Sequence, residues 1–168
     1  MAEVWQTFPQ TRLLIAGAET AYTKEIKQKI ALLNPKLQEK IIYCPNISNE
    51  FKFDLFNACD IVVNASKSES FGIVYLEAWA CKKPVIGCTI EAVKSVINNG
   101  VDGLLVEPDD YKHLARHLNS LLTDPQKRKE MGDAGYRKVN ELYTWDIVAG
   151  KYRSVYEFAI NAVQIAAK

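Results

Sequence analysis

The sequence has almost no net charge and no long hydrophobic run, and each shortage excludes a class of function. Its 168 residues carry a formal net charge of +1, so the bulk charge indicates neither a nucleic-acid nor a membrane partner. The apolar runs are far too short to span a bilayer. The N-terminal stretch "MAEVWQTFPQ" has no basic region followed by an apolar one, so we expect no signal peptide.

Histidine is also scarce. The two histidines, His113 and His117, belong to one helical segment, which leaves no support for a Ser-His-Asp or Cys-His nucleophilic site. Their spacing of four residues can bind a metal, but no third ligand is evident. Leucines define the opposite, apolar side of the same segment. We therefore expect both histidines to face solvent and predict no metal site.

The four cysteines match no metal or disulfide spacing, and all stand beside apolar residues. We expect buried, reduced thiols in a cytoplasmic protein. The residues are Cys44, Cys59, Cys81 and Cys88.

Short apolar runs alternate with longer amphipathic segments over the whole chain. The apolar runs predict strands at 12–17, 40–44, 60–66, 84–88 and 103–108. Helices are predicted at 20–33, 48–58, 70–81, 109–122, 125–140 and from Thr144 to the C-terminus. Apolar strands separated by helices predict an α/β fold with a Rossmann-like parallel sheet covered on both faces. We predict one domain over residues 1–168, in which 141–168 form the closing C-terminal helix.

The predicted helix 70–81 is apolar on nearly every side and yet carries Glu77 in its middle. A buried carboxylate costs several kcal/mol unless it is paired or hydrogen-bonded in its charged form. Two interpretations stay open. Ribose hydroxyls of a nucleotide could complete the carboxylate, or Glu77 could form a salt bridge with Lys82, Lys83 or a distant arginine.

The start of this helix follows the third strand, and ligands bind at the carboxyl ends of strands in such sheets. We expect Ser68 or Ser70 to cap the helix. The amides of Phe71, Gly72 and Ile73 would then be free to bind phosphate. Without a side chain, glycine lets a ligand approach the backbone closely. The alternative is an ordinary capped helix with a packing glycine.

Glu69 stands eight residues before Glu77, roughly 12 Å along a straight helix. The two carboxylates are too far apart to form one acid/base pair. They could hold the two ends of an elongated ligand whose phosphates lie between them. The alternative for Glu69 is a favourable interaction with the helix dipole.

The stretch "SKSESFGIVYLEAWACKKPVIGCTIEAVKSVINNGVDGLLVEPDD" resembles the signature region of retaining glycosyltransferases with the GT-B fold. This large group 1, or family 4, type includes sucrose, trehalose and lipopolysaccharide sugar transferases. "FPQTRLLIAGAE" resembles the second strand of its C-terminal half, and "YTWDIVAGKYRSVYEFAI" its closing helix. The positions that match are Glu69, Phe71, Gly72, Glu77, Ala78, Pro84, Val85, Gly103 and Asp109 or Asp110.

The resemblance implies roles for these positions. Glu77 would hold the ribose hydroxyls of the nucleotide. Glu69 would contact hydroxyls of the donor sugar and is the predicted catalytic residue. A nucleotide-diphosphate sugar would be the donor substrate, with no cofactor or metal required, in polysaccharide or glycolipid biosynthesis. The other predicted donor-binding residues are Ser70, Phe71, Gly72 and Ile73, with the amides around Gly72 at the diphosphate.

The chain departs from the family pattern in three ways. It resembles only the C-terminal half, so an N-terminal acceptor domain, or a separate chain that carries it, is an expected partner. Through that half the protein could also lie at the inner membrane surface. The opening strand, with its following arginine and lysine, is missing. In the loop after the fourth strand, Glu91-Ala92 and Ser95 stand where the family often has a Gly-Gly pair and a glutamate, so we assign this loop no binding role.

The missing opening strand predicts a gap between "RLLIAG" and "DIVVNA". Either these strands pair directly, or another chain fills the space. Homodimerisation is one way to cover an apolar groove of this kind.

Three functions are weighed. The first is the donor-binding half of a retaining glycosyltransferase, incomplete for catalysis alone. The second is a non-catalytic module that binds a nucleotide sugar or a partner, as half of a split enzyme. The third, a nucleotide-sugar epimerase on a related fold, needs acid/base side chains in the cleft, and none is evident.

Overall fold

The structure is a computed structural model that describes residues 1–166, with side-chain surroundings for residues 1–162. Five strands are formed: β1 (Leu13–Gly17), β2 (Ile41–Pro45), β3 (Val62–Asn64), β4 (Val85–Cys88) and β5 (Gly103–Val106). The helices are α1 (Ala2–Thr7), α2 (Thr23–Ala31), α3 (Pro35–Gln38), α4 (Asn49–Ala58), α5 (Ile73–Ala80), α6 (Glu91–Lys94), α7 (Tyr111–Thr123), α8 (Pro125–Leu142) and α9 (Trp145–Ala166). All predicted strands and helices are present, and the short helices α1, α3 and α6 lie outside the predicted segments.

Two of the predicted helices begin at the side-chain caps that the sequence indicates. The hydroxyl of Ser48 accepts a hydrogen bond from the N–H of Phe51 at the start of α4. Asp124 caps α8, and Pro125 follows it at the first helical position. The closing helix begins at Trp145 rather than at residue 141, because α8 continues to Leu142. The end of the predicted closing helix, residues 167–168, lies outside the described residues.

The described strands form two parallel sheets. One has the order β1-β2 and the other the order β3-β4-β5. The α/β class with parallel strands and flanking helices is confirmed, and the predicted gap lies between β1 of one sheet and β3 of the other. Of the two alternatives left open for this gap, direct pairing of β1 with β3 does not occur, because each of them pairs on one side only within the described chain.

Both faces of the three-stranded sheet are covered. Val85 packs in one apolar cluster with Tyr75 and Trp79 of α5. The next residue, Ile86, packs in a second cluster with Leu104 and Leu121 among others. Because successive side chains of a strand point to opposite faces, the two clusters lie on the two sides of β4. This explains why every residue of β4 is buried.

Helix α5 is anchored by Trp79, which is fully buried. Its indole N–H donates to the carbonyl of Asp102 at 2.8 Å. The ring lies against Gly135 of α8, where a Cβ would stand 2.1 Å from Trp79 Cδ1. The ammonium of Lys138 bonds the buried carboxylate of Asp102 at 2.7 Å. These contacts fix where α5 lies and therefore where its N-terminus points.

Two expectations about burial are wrong. Helix α5 is not buried on all sides, since Ile73 is 64% exposed at its first turn. Of the four free cysteines only Cys88 is buried, while Cys44, Cys59 and Cys81 are half-buried. Cys59 and Cys81 directly follow the last residues of α4 and α5, and Cys44 lies in the edge strand β2, so these positions are only partly covered. No helix in the described part of the chain is both long and apolar enough to cross a membrane.

His117 is half-buried rather than solvent-facing, because its Nε2 lies 3.1 Å from the carbonyl oxygen of Leu105. Burial lowers the pKa of His117 below the ordinary 6.5, and the contact with Leu105 acts in the opposite direction. We expect its NMR titration midpoint to fall below 6.5. The unfolded chain then binds more protons, so the stability from this group is present above pH 6.5 and lost as pH falls through the folded pKa.

The His117→Gln variant is the control for this titration. The variant should remove the titration with a midpoint below 6.5 and leave the imidazole signal of His113 in place. A His117 midpoint at or above 6.5 would show that the Leu105 contact outweighs burial.

Candidate functional site

A cleft of about 410 Å³ opens where β1 and β3 end and α5 begins. Ala16 and Asn64 line it from the two strand ends. The carboxyl ends of two parallel strands thus meet at one opening, as is usual for ligand sites in such folds. Five of the six predicted site residues line this cleft: Glu69, Ser70, Phe71, Gly72 and Ile73.

Gly72 is the N-cap of α5, in the left-handed conformation with φ of 90°. The prediction that Ser68 or Ser70 caps the helix is wrong, since no side chain caps it. The N-cap residue directly precedes the first helical residue, and the turn through Gly72 leaves both serines further upstream. Ser68 instead accepts a hydrogen bond at its carbonyl from the Ser66 hydroxyl, at 2.6 Å.

Backbone donors are concentrated at this helix start. Within the described part of the chain, the N–H groups of Phe71, Gly72, Ile73 and Val74 have no hydrogen-bond acceptor. A helix N-terminus with free amides carries a partial positive charge and suits an anion. The structure therefore adds Val74 to the three donors that the sequence indicated.

The need for glycine at position 72 comes from packing as well as from backbone conformation. A Cβ on Gly72 would lie 2.5 Å from Cδ2 of Tyr75. The Tyr75 hydroxyl donates to the carbonyl of Asn64 at 2.7 Å, which ties α5 to the end of β3. Burial raises the pKa of Tyr75, and the nearby Glu69 carboxylate adds to this, so the phenol stays neutral. Backbone conformation and packing thus explain the glycine at position 72 without any ligand.

The carboxylate of Glu69 is held at both oxygens. One oxygen accepts from the N–H of Ser70 at 3.0 Å, and the other accepts from the Asn64 amide at 3.4 Å. A carboxylate offers about four lone-pair positions, so acceptor capacity remains for a ligand hydroxyl. Asn64 was not predicted as a site residue. Its signal in the sequence is its place at the end of the third apolar run, directly before the site loop.

The loop before α5 is tied to the loop after β5. Lys67 and Asp109 form an ion pair at 2.6 Å, and the Tyr111 hydroxyl also donates to Asp109. Both hydrogen bonds lower the pKa of Asp109, and the one from Lys67 has the larger effect. Of the two aspartates that match the family pattern, Asp110 caps α7 by accepting from the N–H of His113 at 2.9 Å. Asp109 is therefore the one that faces the site loop.

Glu77 lies further along α5, outside the cleft. Its carboxylate forms an ion pair with Lys52 of α4. A salt bridge was one of the two interpretations of Glu77, but the partners suggested for it are wrong. Lys82 lies near Asp133, at 3.8 Å, and Lys83 donates to a backbone carbonyl of α4.

The described residues contain no group of three or more histidine, cysteine, aspartate or glutamate side chains that could hold a metal ion. Partial positive charge at the cleft comes from the helix amides, while the nearby cations Lys52 and Lys67 are each paired with a carboxylate, Glu77 and Asp109. The arrangement can hold an anion at the helix start and a hydroxyl at Glu69.

Comparison with known proteins gives one consistent family. Residues 1–138 match the family described as "Glycosyl transferases group 1". A D-inositol 3-phosphate glycosyltransferase from Xylanimonas cellulosilytica is 28% identical over 148 residues, which are 88% of this chain and 35% of that protein. The fold matches the C-terminal domain of a glycosyl transferase group 1 family protein from Francisella tularensis, with 30% identity and a TM-score of 0.73 over 84% of this chain and 74% of that one.

A further structural match is the Anabaena HepE protein, which was solved in complex with UDP-glucose. It has 22% identity and a TM-score of 0.75, and it covers 95% of this chain and 44% of that one, so it shows the fold alone. The chain spans about a quarter to a third of the length of the curated relatives that it matches. The activity of those longer proteins is therefore not by itself the activity of this chain.

Proposed function

Since the chain belongs to the group 1 glycosyltransferases, we propose that it is the donor-binding half of a retaining enzyme. This enzyme transfers a sugar from a nucleotide-diphosphate sugar to an acceptor. The observation that carries the proposal is the cleft that joins four free helix amides with the Glu69 carboxylate. The UDP-glucose complex of a protein with the same fold supports a nucleotide sugar as the ligand.

In this proposal the helix start stabilises the leaving diphosphate. Negative charge develops on the diphosphate as the bond to the sugar breaks, and preorganised N–H groups favour that state over the bound donor. The amides of Phe71 to Val74 supply these donors, and Ser70 borders them. We expect no metal or cofactor requirement, because the helix end provides the positive charge.

Glu69 would accept hydroxyls of the donor sugar. Its bonds to Ser70 and Asn64 fix the carboxylate before the ligand arrives. Such positioning favours one orientation of the sugar over the leaving diphosphate. Glu69 is the catalytic residue of the proposal in the sense that it touches the reacting sugar.

Glu77 would bind the ribose hydroxyls. Lys52 bonds one oxygen of this carboxylate, Oε1, and the second oxygen is left as an acceptor. The ion pair would then orient Glu77 for the nucleotide rather than block it.

We further propose that the acceptor site belongs to an N-terminal domain or to a separate chain that carries it. The isolated chain should then transfer no sugar. Polysaccharide or glycolipid synthesis is the proposed process. The proposed location is the cytoplasm, or the inner membrane surface through the acceptor half.

A non-catalytic nucleotide-sugar or partner-binding module is the second candidate. The Lys52–Glu77 ion pair favours it, because the protein itself already neutralises the carboxylate. A transfer assay with an added acceptor half distinguishes the two. Sugar transfer that depends on Glu69 supports the enzyme, and binding without transfer supports the module.

NMR titration with UDP, GDP, ADP and their glucose or mannose forms tests donor binding. One helix terminus and one carboxylate, less the cost of association, predict a dissociation constant on the order of millimolar. We expect one nucleotide to shift the amide signals of Phe71 to Val74. Glu77→Gln should raise the dissociation constant of that nucleotide about tenfold or more, because charged hydrogen bonds to the ribose are lost.

Glu141→Gln is the matched control, since Glu141 is an exposed carboxylate on α8 away from the cleft. Its effect on nucleotide affinity should be within about twofold. If no nucleotide shifts the four amides even at about ten millimolar, donor binding by this chain alone is rejected.

A further inference from the structure

Helix α8 packs closely against α5 and runs antiparallel to it. Near the C-terminus of α5, a Cβ on Gly132 would stand 2.0 Å from the carbonyl oxygen of Lys82. Further along α8, and correspondingly earlier in α5, a Cβ on Gly135 would stand 2.1 Å from the ring of Trp79. The two glycines let the helices approach each other. The order of these contacts shows that α8 leads back toward the start of α5.

The last turn of α8 ends beside the candidate site. Its C-cap residue, Tyr143, is fixed to that turn because the Tyr143 N–H donates to the carbonyl of Val139 at 2.9 Å. The ring of Tyr143 meets the ring of Phe71 edge to face, with 5.8 Å between the ring centroids and 75° between the planes. This contact continues the antiparallel packing, since Tyr143 lies as far beyond Gly135 in sequence as Phe71 lies before Trp79.

Phe71 supplies the first of the four free N–H groups at the start of α5. Because this N–H has no acceptor in the described part of the chain, no hydrogen bond of its own fixes its direction. The Phe71 side chain is 40% exposed and borders the cleft, while Tyr143 is half-buried and does not line the cleft. An edge-to-face aromatic pair is attractive, so the contact restricts how Phe71, and with it this donor, can turn.

The phenol of Tyr143 is compatible with an anion nearby. Burial raises the pKa of Tyr143 above its ordinary 10.0, and the carboxylate of Asp102 adds to this. The phenol therefore stays neutral, and it neither repels a diphosphate at the helix start nor makes the aromatic contact sensitive to pH near neutrality.

We propose that Tyr143 is a positioning residue of the donor site, which holds Phe71 so that its N–H points at the bound diphosphate. The inference rests on the proposed function, because the diphosphate is the ligand of that proposal. Tyr143 acts through Phe71 and touches no ligand itself. It lies beyond residues 1–138, the part of the chain that matches the family. Since α9 begins at Trp145, the same contact joins the donor site to the start of the closing helix.

NMR relaxation of the backbone amides tests the positioning in the ligand-free protein. We expect an order parameter of about 0.85 for the Phe71 amide in the wild type and below about 0.6 in Tyr143→Ala, because the ring that supports Phe71 is lost. Tyr143→Phe should keep the wild-type value, since the aromatic ring makes the contact with Phe71 and this variant retains it.

Titration with inorganic pyrophosphate, followed at the same amides, tests the consequence for the anion. Every nucleotide-diphosphate donor carries this group, so the result does not depend on the base. Tyr143→Ala should raise the dissociation constant of pyrophosphate about three- to tenfold, the range that one aromatic pair contributes. Tyr143→Phe should leave it within about twofold of the wild-type value.

Tyr136→Ala is the matched control, because Tyr136 belongs to the same helix, is 38% exposed and does not line the cleft. The ammonium of Lys82 lies 4.8 Å from the centroid of its ring, near the other end of α5. The variant should change neither the order parameter of Phe71 nor the affinity for pyrophosphate. Urea denaturation gives the stability of each variant. Tyr143→Leu, which keeps a bulky apolar side chain without a ring, takes the place of Tyr143→Ala if that variant does not fold.

The proposal fails if the Phe71 amide has the same order parameter in the wild type and in Tyr143→Ala. It also fails if Tyr143→Phe or Tyr136→Ala has as large an effect as Tyr143→Ala, because a general loosening of α8 would then explain the result. If pyrophosphate shifts no amide of the wild type at about ten millimolar, the anion site of the proposed function is rejected. The order parameters still decide in that case whether Tyr143 holds Phe71.

Discussion

Replacing Trp79 with alanine should lower the free energy of unfolding by about 3–5 kcal/mol. The side chain is fully buried and packs with Tyr75 and Val85 in the larger apolar cluster. Its loss removes a large apolar area from the core, and the space cannot close easily because Gly135 offers no side chain to fill it. It also leaves the carbonyl of Asp102 without the indole donor. Urea denaturation followed by far-UV circular dichroism measures the change.

Trp145→Ala is the control, since Trp145 is 86% exposed at the start of α9. Its effect should stay within about 0.5 kcal/mol. Trp79→Phe separates packing from hydrogen bonding, because it keeps an aromatic ring and loses the bond to Asp102. A loss below about 1 kcal/mol for Trp79→Ala would show that α5 is not anchored from this side.

The anchor connects the core to the candidate site. Trp79 and Tyr75 hold the buried side of α5, while Ile73 at its first turn is open to solvent. The helix start can therefore face a ligand while the rest of the helix is fixed. A destabilised Trp79 variant should lose nucleotide binding only as far as it unfolds, whereas a variant at the helix start should lose binding in the folded protein.

The order and type of the elements were predictable because they depend on local patterns. Largely apolar segments of five to seven residues marked all five strands, and Ser48 and Asp124 marked two helix starts. The short helices α3 and α6 were missed, since four residues are too few to show helical periodicity. The cap at Gly72 was missed because serine is the commoner signal, and a left-handed glycine leaves no side-chain pattern.

Tertiary contacts were less predictable. The partner of Glu77 lies 25 residues away on α4, and nothing in the local sequence marks Lys52 among the other lysines. Asn64 meets Glu69 because β3 ends beside the site loop, which requires the fold to be known. The sequence indicated the place of the cleft through the rule for strand ends, and the structure supplied the contacts within it.

Gly72→Ala should cost about 2–4 kcal/mol of stability and remove the nucleotide-induced shifts of the helix amides. Two effects add. An alanine with φ of 90° is strained, and its Cβ would lie 2.5 Å from the Tyr75 ring, so either the ring or the turn must move. Movement of the turn changes the direction of the four free N–H groups. Urea denaturation and the nucleotide titration measure the two consequences.

Gly100→Ala is a matched control for the strain alone. Gly100 has a similar φ of 83°, but a Cβ there would meet nothing within 4 Å. Its cost should be about 1–2 kcal/mol, and nucleotide binding should be unchanged. The difference between the two variants then measures the contact with Tyr75. If the two lose the same stability and both still bind nucleotide, the Tyr75 ring has room to yield, and the direction of the amides does not depend on that contact.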